Sequence, residues 1–343
     1  MRICVYKDSL STGRGADGAV KNLASGLRER GHDVALMEKP EFFARVLDAG
    51  KAAEHRNGGD AGNEFDVVVP TGSNEIVDLD SAGYFDRPSR AKVVLQLHLA
   101  PRGFFKWKHP FRNRRIRAAF DKPDAVQVLC GSYVDAFRRL APHPRVAVIG
   151  NYAEIASFEG ARPEPIILYP AAAVNRVKNQ KLLIEAFALL AEEFPDWRVR
   201  LLGRDSAAYA KQCRKLIARK GLADRIELAG FTSDLPGEYS RAAFIAFPST
   251  LEGFPLAILE AAQFSLAAVV QNGLPGAADI VTDDTGIVTE PTVSAYAGGL
   301  RRLMADEVLR CRLGEGSRKH CEDCYSRAKI LDQWESLLES VVK

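Results

Sequence analysis

Ser-Thr-Leu-Glu-Gly-Phe-Pro-Leu-Ala-Ile-Leu-Glu (249–260), continuing as Ala-Ala-Gln-Phe-Ser-Leu-Ala-Ala-Val-Val-Gln-Asn (261–272), decides how the chain is read. An apolar stretch of strand length, Ala-Phe-Ile-Ala-Phe-Pro (243–248), precedes it, and Ala267 to Val270 reads as a second strand. Strand, loop, helix and strand in that order imply a parallel pair joined by a right-handed crossover. The loop and the helix start then lie at the C-terminal edge of a parallel sheet, where open α/β sheets bind ligands.

The residues of this loop suit that place. Gly253 lets backbone approach a ligand closely. Pro255 suits the first helical position, where a missing N–H costs nothing. The amides from Leu256 onward are then donors at the positive end of a helix, an anion site. Glu252 sits before the helix and Glu260 inside it. One ligand could meet all three: hydroxyls at Glu252, phosphate at the helix start, hydroxyls again at Glu260. A nucleoside diphosphate sugar has that order of groups. A capping acid followed by a solvated helix Glu is the blander alternative.

Glu-Gly-Phe-Pro-Leu-Ala-Ile-Leu-Glu (252–260) resembles the E-x7-E motif of family 4 glycosyltransferases of the GT-B fold. The resemblance implies that Glu252 and the adjacent backbone of Gly253, Phe254 and Leu256 meet the donor sugar and diphosphate, and that Glu260 meets the ribose. Many members carry a second Gly where this chain has Pro255, which has no N–H to offer a sugar hydroxyl.

A chain of 343 residues with 47% hydrophobic content supports two domains with separate cores. The net charge of +3 is too small to imply nucleic-acid binding. Six cysteines are scattered without a framework, and the N-terminus runs straight into a strand, so reduced thiols and a cytoplasmic location are expected. No apolar run approaches the roughly 20 residues of a spanning helix.

The first domain is expected over 1–152. Arg2 to Tyr6 reads as a strand, followed by a Gly-rich loop over Ser9 to Val20 and a helix carrying Leu23, Ala24 and Leu27. The loop is neither a Walker A nor a GxGxxG motif; the family resemblance makes Gly15 its donor-side position. Residues 50–64 read as a polar loop, and 66–70, 92–98, 124–130 and 145–150 as buried strands. His98 falls at a strand end, a place that lines the crevice of such folds. The resemblance implies that it contacts the donor sugar near the reaction centre.

Residues 153–165 have linker composition, and 153–325 read as a second doubly wound domain. A helix is expected over Lys181 to Glu193. Gly203 closes the strand that starts at Arg198, and Phe231 follows the strand 225–230; both are assigned to the donor side. Arg176 and Lys178 lie between a strand and a helix, where cations can neutralise a diphosphate. Lys178 matches the family's Lys. The family's upstream Arg falls at Ala173 here, and Arg176 is its substitute. Leu331 to Val342 reads as an amphipathic helix, and by GT-B analogy residues 326–343 return to the first domain.

No metal is expected. Asp-Leu-Asp (78–80) has the form of a metal motif but reads as a polar loop. His-Cys-Glu-Asp-Cys (320–324) lacks the second Cys pair of a zinc site and reads as a helix with its Cys face packed inward. Arg102 to Arg117 interleaves Phe104, Phe105, Trp107 and Phe111 with cations, including Arg102, Lys106, Arg112, Arg114 and Arg115, and contains no acid. That pattern suits an anionic membrane or an anionic lipid-linked acceptor such as a lipopolysaccharide core; a solvated basic helix is the alternative.

The expectation is therefore a GT-B fold, two Rossmann-like domains facing a central cleft. Its reaction would be retaining transfer of a sugar from a UDP- or GDP-linked donor to a glycan or lipid-linked hydroxyl, without a cofactor. Another GT-B enzyme, an epimerase or phosphorylase, and a non-catalytic nucleotide-sugar binding module are the rivals.

Overall fold

The computed structural model describes residues 1–343 except 11–14, 49–63, 89, 101–109, 155–162 and 275. Residues 50–63 of the loop expected at 50–64, and Arg102, Lys106 and Trp107 of the basic stretch, lie outside the described residues. The chain divides into two units: Met1–Tyr152 with Arg327–Lys343, and Ala153–Ser326.

Unit 1 holds six parallel strands, β1 (Arg2–Lys7), β2 (Asp33–Glu38), β3 (Val67–Pro70), β4 (Lys92–Gln96), β5 (Ala125–Val128) and β6 (Val146–Val148), in the order β2-β1-β3-β4-β5-β6. The inner strands are continuous apolar runs because helices cover both faces of such a sheet. Val67, Val68, Val93, Val94 and Leu95 are fully buried; each contributes roughly 1.5–3 kcal/mol. The chain leaves β1 for β2 on one side and returns to β3 on the other. The C-terminal ends of β1 and β3 thus form the switch point of this sheet.

Two sequence expectations change here. Asp78 and Asp80 lie on a helix, Ser73–Ser81, rather than in a loop. Its polar residues are engaged inside the unit: Asp78 accepts from Tyr6 Oη (2.6 Å) and Lys39 Nζ (2.9 Å), and Asp80 accepts from Lys122. The C-terminal helix starts at Arg327, not Leu331, and runs to Val342. It buries Leu331, Trp334 and Leu338, with Leu331 against Gly26. Arg30 Nη1 donates to Asp332 Oδ1 and Glu335 Oε2 (both 2.5 Å), fixing the helix to the end of the helix Ala16–Glu29.

Unit 2 holds β7 (Ile166–Val174), β8 (Arg198–Asp205), β9 (Ile226–Gly230), β10 (Phe244–Phe247), β11 (Ala268–Gln271) and β12 (Gly286–Thr289), in the order β12-β11-β10-β7-β8-β9, again all parallel. Its switch point lies between β7 and β10. The helix after β7 is Gln180–Ala188, shorter than the expected 181–193, because the chain goes into turns ahead of Pro195.

Gly203 does not close β8; the strand runs on to Asp205. Its φ is +130°, and a methyl there would lie 2.8 Å from the Ala171 carbonyl oxygen and 2.9 Å from Ala173 N. The β7–β8 register shifts between Pro170 and Ala173. Gly203 is the residue that lets β8 pass this bulge, which accounts for it on backbone grounds alone.

Candidate functional site

At the switch point of unit 2 the loops after β7 and β10 meet. Lys178 Nζ donates to Glu252 Oε1 at 2.6 Å, and both side chains are largely withdrawn from solvent. Lys178 is held through its backbone. Its N–H donates to the side chain of Asn175, three residues back (Oδ1, 3.1 Å). Its carbonyl accepts from Tyr169 Oη (2.8 Å), and the neighbouring Val177 carbonyl accepts from Thr250 N (2.8 Å). Asn179 then takes the left-handed conformation (φ 51°), which Asn tolerates better than most residues, and the helix starts at Gln180.

The Glu252 loop is braced in the same way. Ser249 Oγ lies 2.7 Å from Tyr169 Oη, and the Ser249 carbonyl accepts from Gln271 Nε2 (2.5 Å). Tyr169 is fully buried and touches both loops, so one side chain sets their separation. Phe254 is buried with its ring edge-on to Tyr325 (5.5 Å between centroids). The helix Leu256–Gln263 carries Glu260, whose Oε2 accepts from Tyr239 Oη at 2.8 Å. Asn175, Tyr169, Ser249, Thr250 and Tyr239 carry no sequence signal of their own; they act through chain segments far apart in sequence.

Several expected details differ. Pro255 is the cap residue, not the first helical one. The Leu256 amide is not a free donor: it donates to the Phe254 carbonyl at 2.9 Å, because the chain turns tightly ahead of the helix. Arg176 is exposed and acts electrostatically on Tyr209. Phe231 is half-exposed just past β9, with the Arg204 guanidinium 5.0 Å over its ring. The Cys face of the helix Glu307–Tyr325 is not uniformly inward, since Cys321 is buried but Cys311 is exposed.

In unit 1, Gly15 is exposed with φ 62° at the start of the helix Ala16–Glu29, and a methyl on it would meet nothing within 4 Å. His98 lies just past β4 and is 9% exposed. Neither of its ring nitrogens has a hydrogen-bond partner among the described residues. Burial, aided by the nearby Lys7 charge and opposed by Asp17, pushes its pKa down to about 3, so the imidazole is neutral. The basic helix Pro110–Phe120 presents Phe111, 85% exposed, beside exposed Arg114, Arg115 and Arg117. Arg112 Nη2 reaches Asn74 Oδ1 (3.1 Å) and Arg115 Nη2 reaches Ser81 Oγ (2.5 Å). Among the described residues no group of three or more His, Cys, Asp or Glu is placed to hold a metal ion.

Two parallel doubly wound sheets in one chain, together with the likeness to solved structures, give the GT-B fold. The solved structure of Anabaena HepE with UDP aligns with a TM-score of 0.81 at 18% identity, covering 99% of this chain and 100% of that one. Residues 152–320 match the family described as glycosyl transferases group 1, which supports the family resemblance over unit 2. An exopolysaccharide phosphotransferase of Streptomyces coelicolor is 32% identical over 210 residues, 58% of this chain and 21% of that protein. A lipopolysaccharide core biosynthesis mannosyltransferase of Rhizobium leguminosarum is 31% identical over 153 residues, 43% of this chain and 44% of that protein. The chain spans less than half the length of the first curated relatives it matches.

The neutral His98 makes stability pH-dependent. An unfolded His protonates below about 6.5 while the folded one stays neutral down to about 3, so stability falls as pH drops through that window. Between pH 6.5 and 5, urea unfolding of wild type should lose about 2 kcal/mol more than that of His98→Gln. Equal losses would show that His98 is not held neutral.

Proposed function

We propose that the chain is a retaining glycosyltransferase that moves a sugar from a nucleotide-sugar donor to a hydroxyl of a glycan or lipid-linked acceptor. The observation that carries the reading is the Lys178–Glu252 pair at the unit 2 switch point, at the head of the stretch that ends in Glu260. The bond from the anomeric carbon to the diphosphate oxygen breaks, and the nucleoside diphosphate leaves with the electron pair. A bond to the acceptor oxygen forms, and the acceptor proton passes to the leaving phosphate or to water. Lys178 offsets the charge that grows on the leaving group, as a preorganised cation does best in a site largely closed to water. Glu252 takes sugar hydroxyls, and Glu260, steadied by Tyr239, takes the ribose. His98, neutral, bonds a sugar hydroxyl as donor or acceptor. Gly15, Gly253, Phe254, Leu256 and Phe231 are donor-side positions, and Arg176 is a reserve cation. Gly203, which β8 also needs on backbone grounds, is a donor-side position too.

Retention rests on the family likeness. UDP as the donor nucleotide draws on HepE with UDP, and cell-envelope polysaccharide as the destination on the names of similar proteins; a GDP-linked donor rests on the sequence reading alone. No metal is assigned to the reaction, because Lys178 supplies the charge that a metal would. Asp78 and Asp80 are engaged elsewhere. A cytoplasmic site of action fits six free thiols. Among the described residues no helix is long and apolar enough to cross a membrane. Contact with an anionic bilayer or an anionic lipid-linked acceptor falls to the helix Pro110–Phe120 and the stretch before it, where each cation near an anionic surface adds roughly 1 kcal/mol.

Kinetics and liposome binding test this. With the nucleotide sugar that gives turnover, Glu260→Ala should raise the donor KM at least about tenfold with kcat little changed, while Glu252→Gln should lower kcat about a hundredfold. Turnover should persist in EDTA. Release of free nucleotide without acceptor, or a need for inorganic phosphate, would favour the epimerase or phosphorylase rivals. No turnover would favour the binding module. Charge reversal at Arg112, Arg114 and Arg115 should abolish co-sedimentation with anionic liposomes and leave nucleotide binding intact; unchanged co-sedimentation would reject the membrane assignment.

A further inference from the structure

Within unit 2 the helix Glu307–Tyr325 underlies the whole segment that carries Glu252 and Glu260. At the head, Phe254 packs edge-on against Tyr325 (5.5 Å between centroids). In the middle, Cys321 Sγ lies 3.9 Å from the Leu259 carbonyl. At the tail, Gly314 comes so close to the Ser265 carbonyl that a methyl on it would collide with that oxygen. The contacts fall from 325 to 314 as the segment rises from 254 to 265, so the two run antiparallel over about 16 Å of helix. Gly316 is seated in the same way on the Asp284 carbonyl. Two such close approaches fix the helix in place. The His-Cys-Glu-Asp-Cys stretch (320–324), which has the look of a metal or redox motif, is the end of this bed.

Head and tail are held by different means. The tail is held through backbone: Ser265, with φ 54°, directly follows the helix Leu256–Gln263 and its C-terminal residue Phe264. The head is held through side chains. Leu251 is 37% exposed, Glu252 turns to Lys178, and Gly253 has no side chain, whereas Phe254 is buried and anchors the loop from below. Tyr325 is aimed in its turn. Its Oη donates to the Asp279 carbonyl (2.8 Å), and the His320 ring meets it edge-on (5.7 Å). An edge-to-face ring pair at this spacing is favourable and depends on its geometry.

The difference matters once a ligand arrives. A ligand that takes over Lys178 and Glu252 displaces the charge pair that closes the loop without it. The contact of Phe254 with Tyr325 uses neither charge. It continues to place the backbone of Glu252 and Gly253 while both charged groups are engaged, and a site holds its geometry only where packing locks its supports.

We infer that Tyr325 is a positioning residue for Glu252. Acting through Phe254, it sets the sugar end of the site separately from the ribose end, which the seat of Ser265 on Gly314 fixes through the helix that carries Glu260. The inference deepens the glycosyltransferase reading and rests on it for the roles of the two acids. Tyr325 itself touches no substrate.

The test compares the full-length wild type with Tyr325→Leu, which removes the ring, and Tyr325→Phe, which keeps the ring and gives up the bond to Asp279. With the nucleotide sugar that gives turnover, Tyr325→Leu should lower kcat at least about tenfold, with donor KM and UDP affinity within about twofold of wild type. Tyr325→Phe should recover kcat to within about threefold. An arm without ligand reads the loop directly: amides of 250–254 should exchange about tenfold faster in Tyr325→Leu, while those of 258–263 keep their wild-type rates. A kcat for Tyr325→Leu within about twofold of wild type would overturn the proposal. So would a joint fall of kcat and UDP affinity with faster exchange at 258–263, which would make Tyr325 a general prop of unit 2. If Tyr325→Leu does not fold, Tyr325→Met carries the same comparison. Should wild type bind neither UDP nor GDP, the glycosyltransferase reading fails and the exchange arm decides the positioning alone. Faster exchange confined to 250–254 upholds it, and unchanged exchange there overturns it.

Discussion

The contact between Lys178 and Glu252 is where the strand order of unit 2 becomes chemistry. Crossovers of fixed hand send β8 and β9 to one side of β7 and bring β10 back on the other, so the loops after β7 and β10 must part and then face each other. A cation from one loop and a carboxylate from the other close that opening at 2.6 Å. A pair this withdrawn from water is poor evidence for stability, because desolvation of both charges offsets most of their attraction. Its value is positional. The pair holds two groups of opposite sign at the mouth of the switch point, one suited to phosphate and one to hydroxyls. A ligand carrying both kinds of group can exchange its own contacts for theirs.

The two units use the same sheet logic with different edges. Around Lys178 and Glu252 the polar groups are satisfied by one another and by Tyr169, Asn175 and Thr250, which makes a preset frame. At the edge of unit 1, Thr71 Oγ1, Gln96 Oε1 and the ring nitrogens of His98 are buried without such partners among the described residues. A charged frame suits the invariant diphosphate end of a nucleotide sugar.

Much of this was legible in the sequence wherever local pattern and function coincide. The strand–loop–helix–strand unit around Glu252 and Glu260 shows as an apolar run, a Gly–Pro break and a second apolar run. Lys178 shows as a cation between strand and helix, and His98 as a polar residue ending an apolar strand. The failures have a common physical origin in contacts between distant segments. The helix Ser73–Ser81 looked like a loop because its acids are neutralised by Lys39 and Lys122, which local periodicity does not register. Gly203 looked like the end of a strand because the bulge it passes, in β7, lies on another strand. The Leu256 amide looked free because a tight turn ahead of a helix leaves no mark beyond the proline that accompanies it. Tyr169 and Tyr239, which set the positions of the acids, could not be told from core tyrosines until the sheet brought them there.

Hydrogen exchange of the full chain with and without UDP tests the central claim most directly. If the unit 2 switch point is the nucleotide site, UDP should slow exchange in 175–180 and 248–260 and leave the strand ends of unit 1, including 96–98, unchanged. Protection confined to unit 1, or unaltered exchange in both unit 2 segments at saturating UDP and GDP, would contradict it.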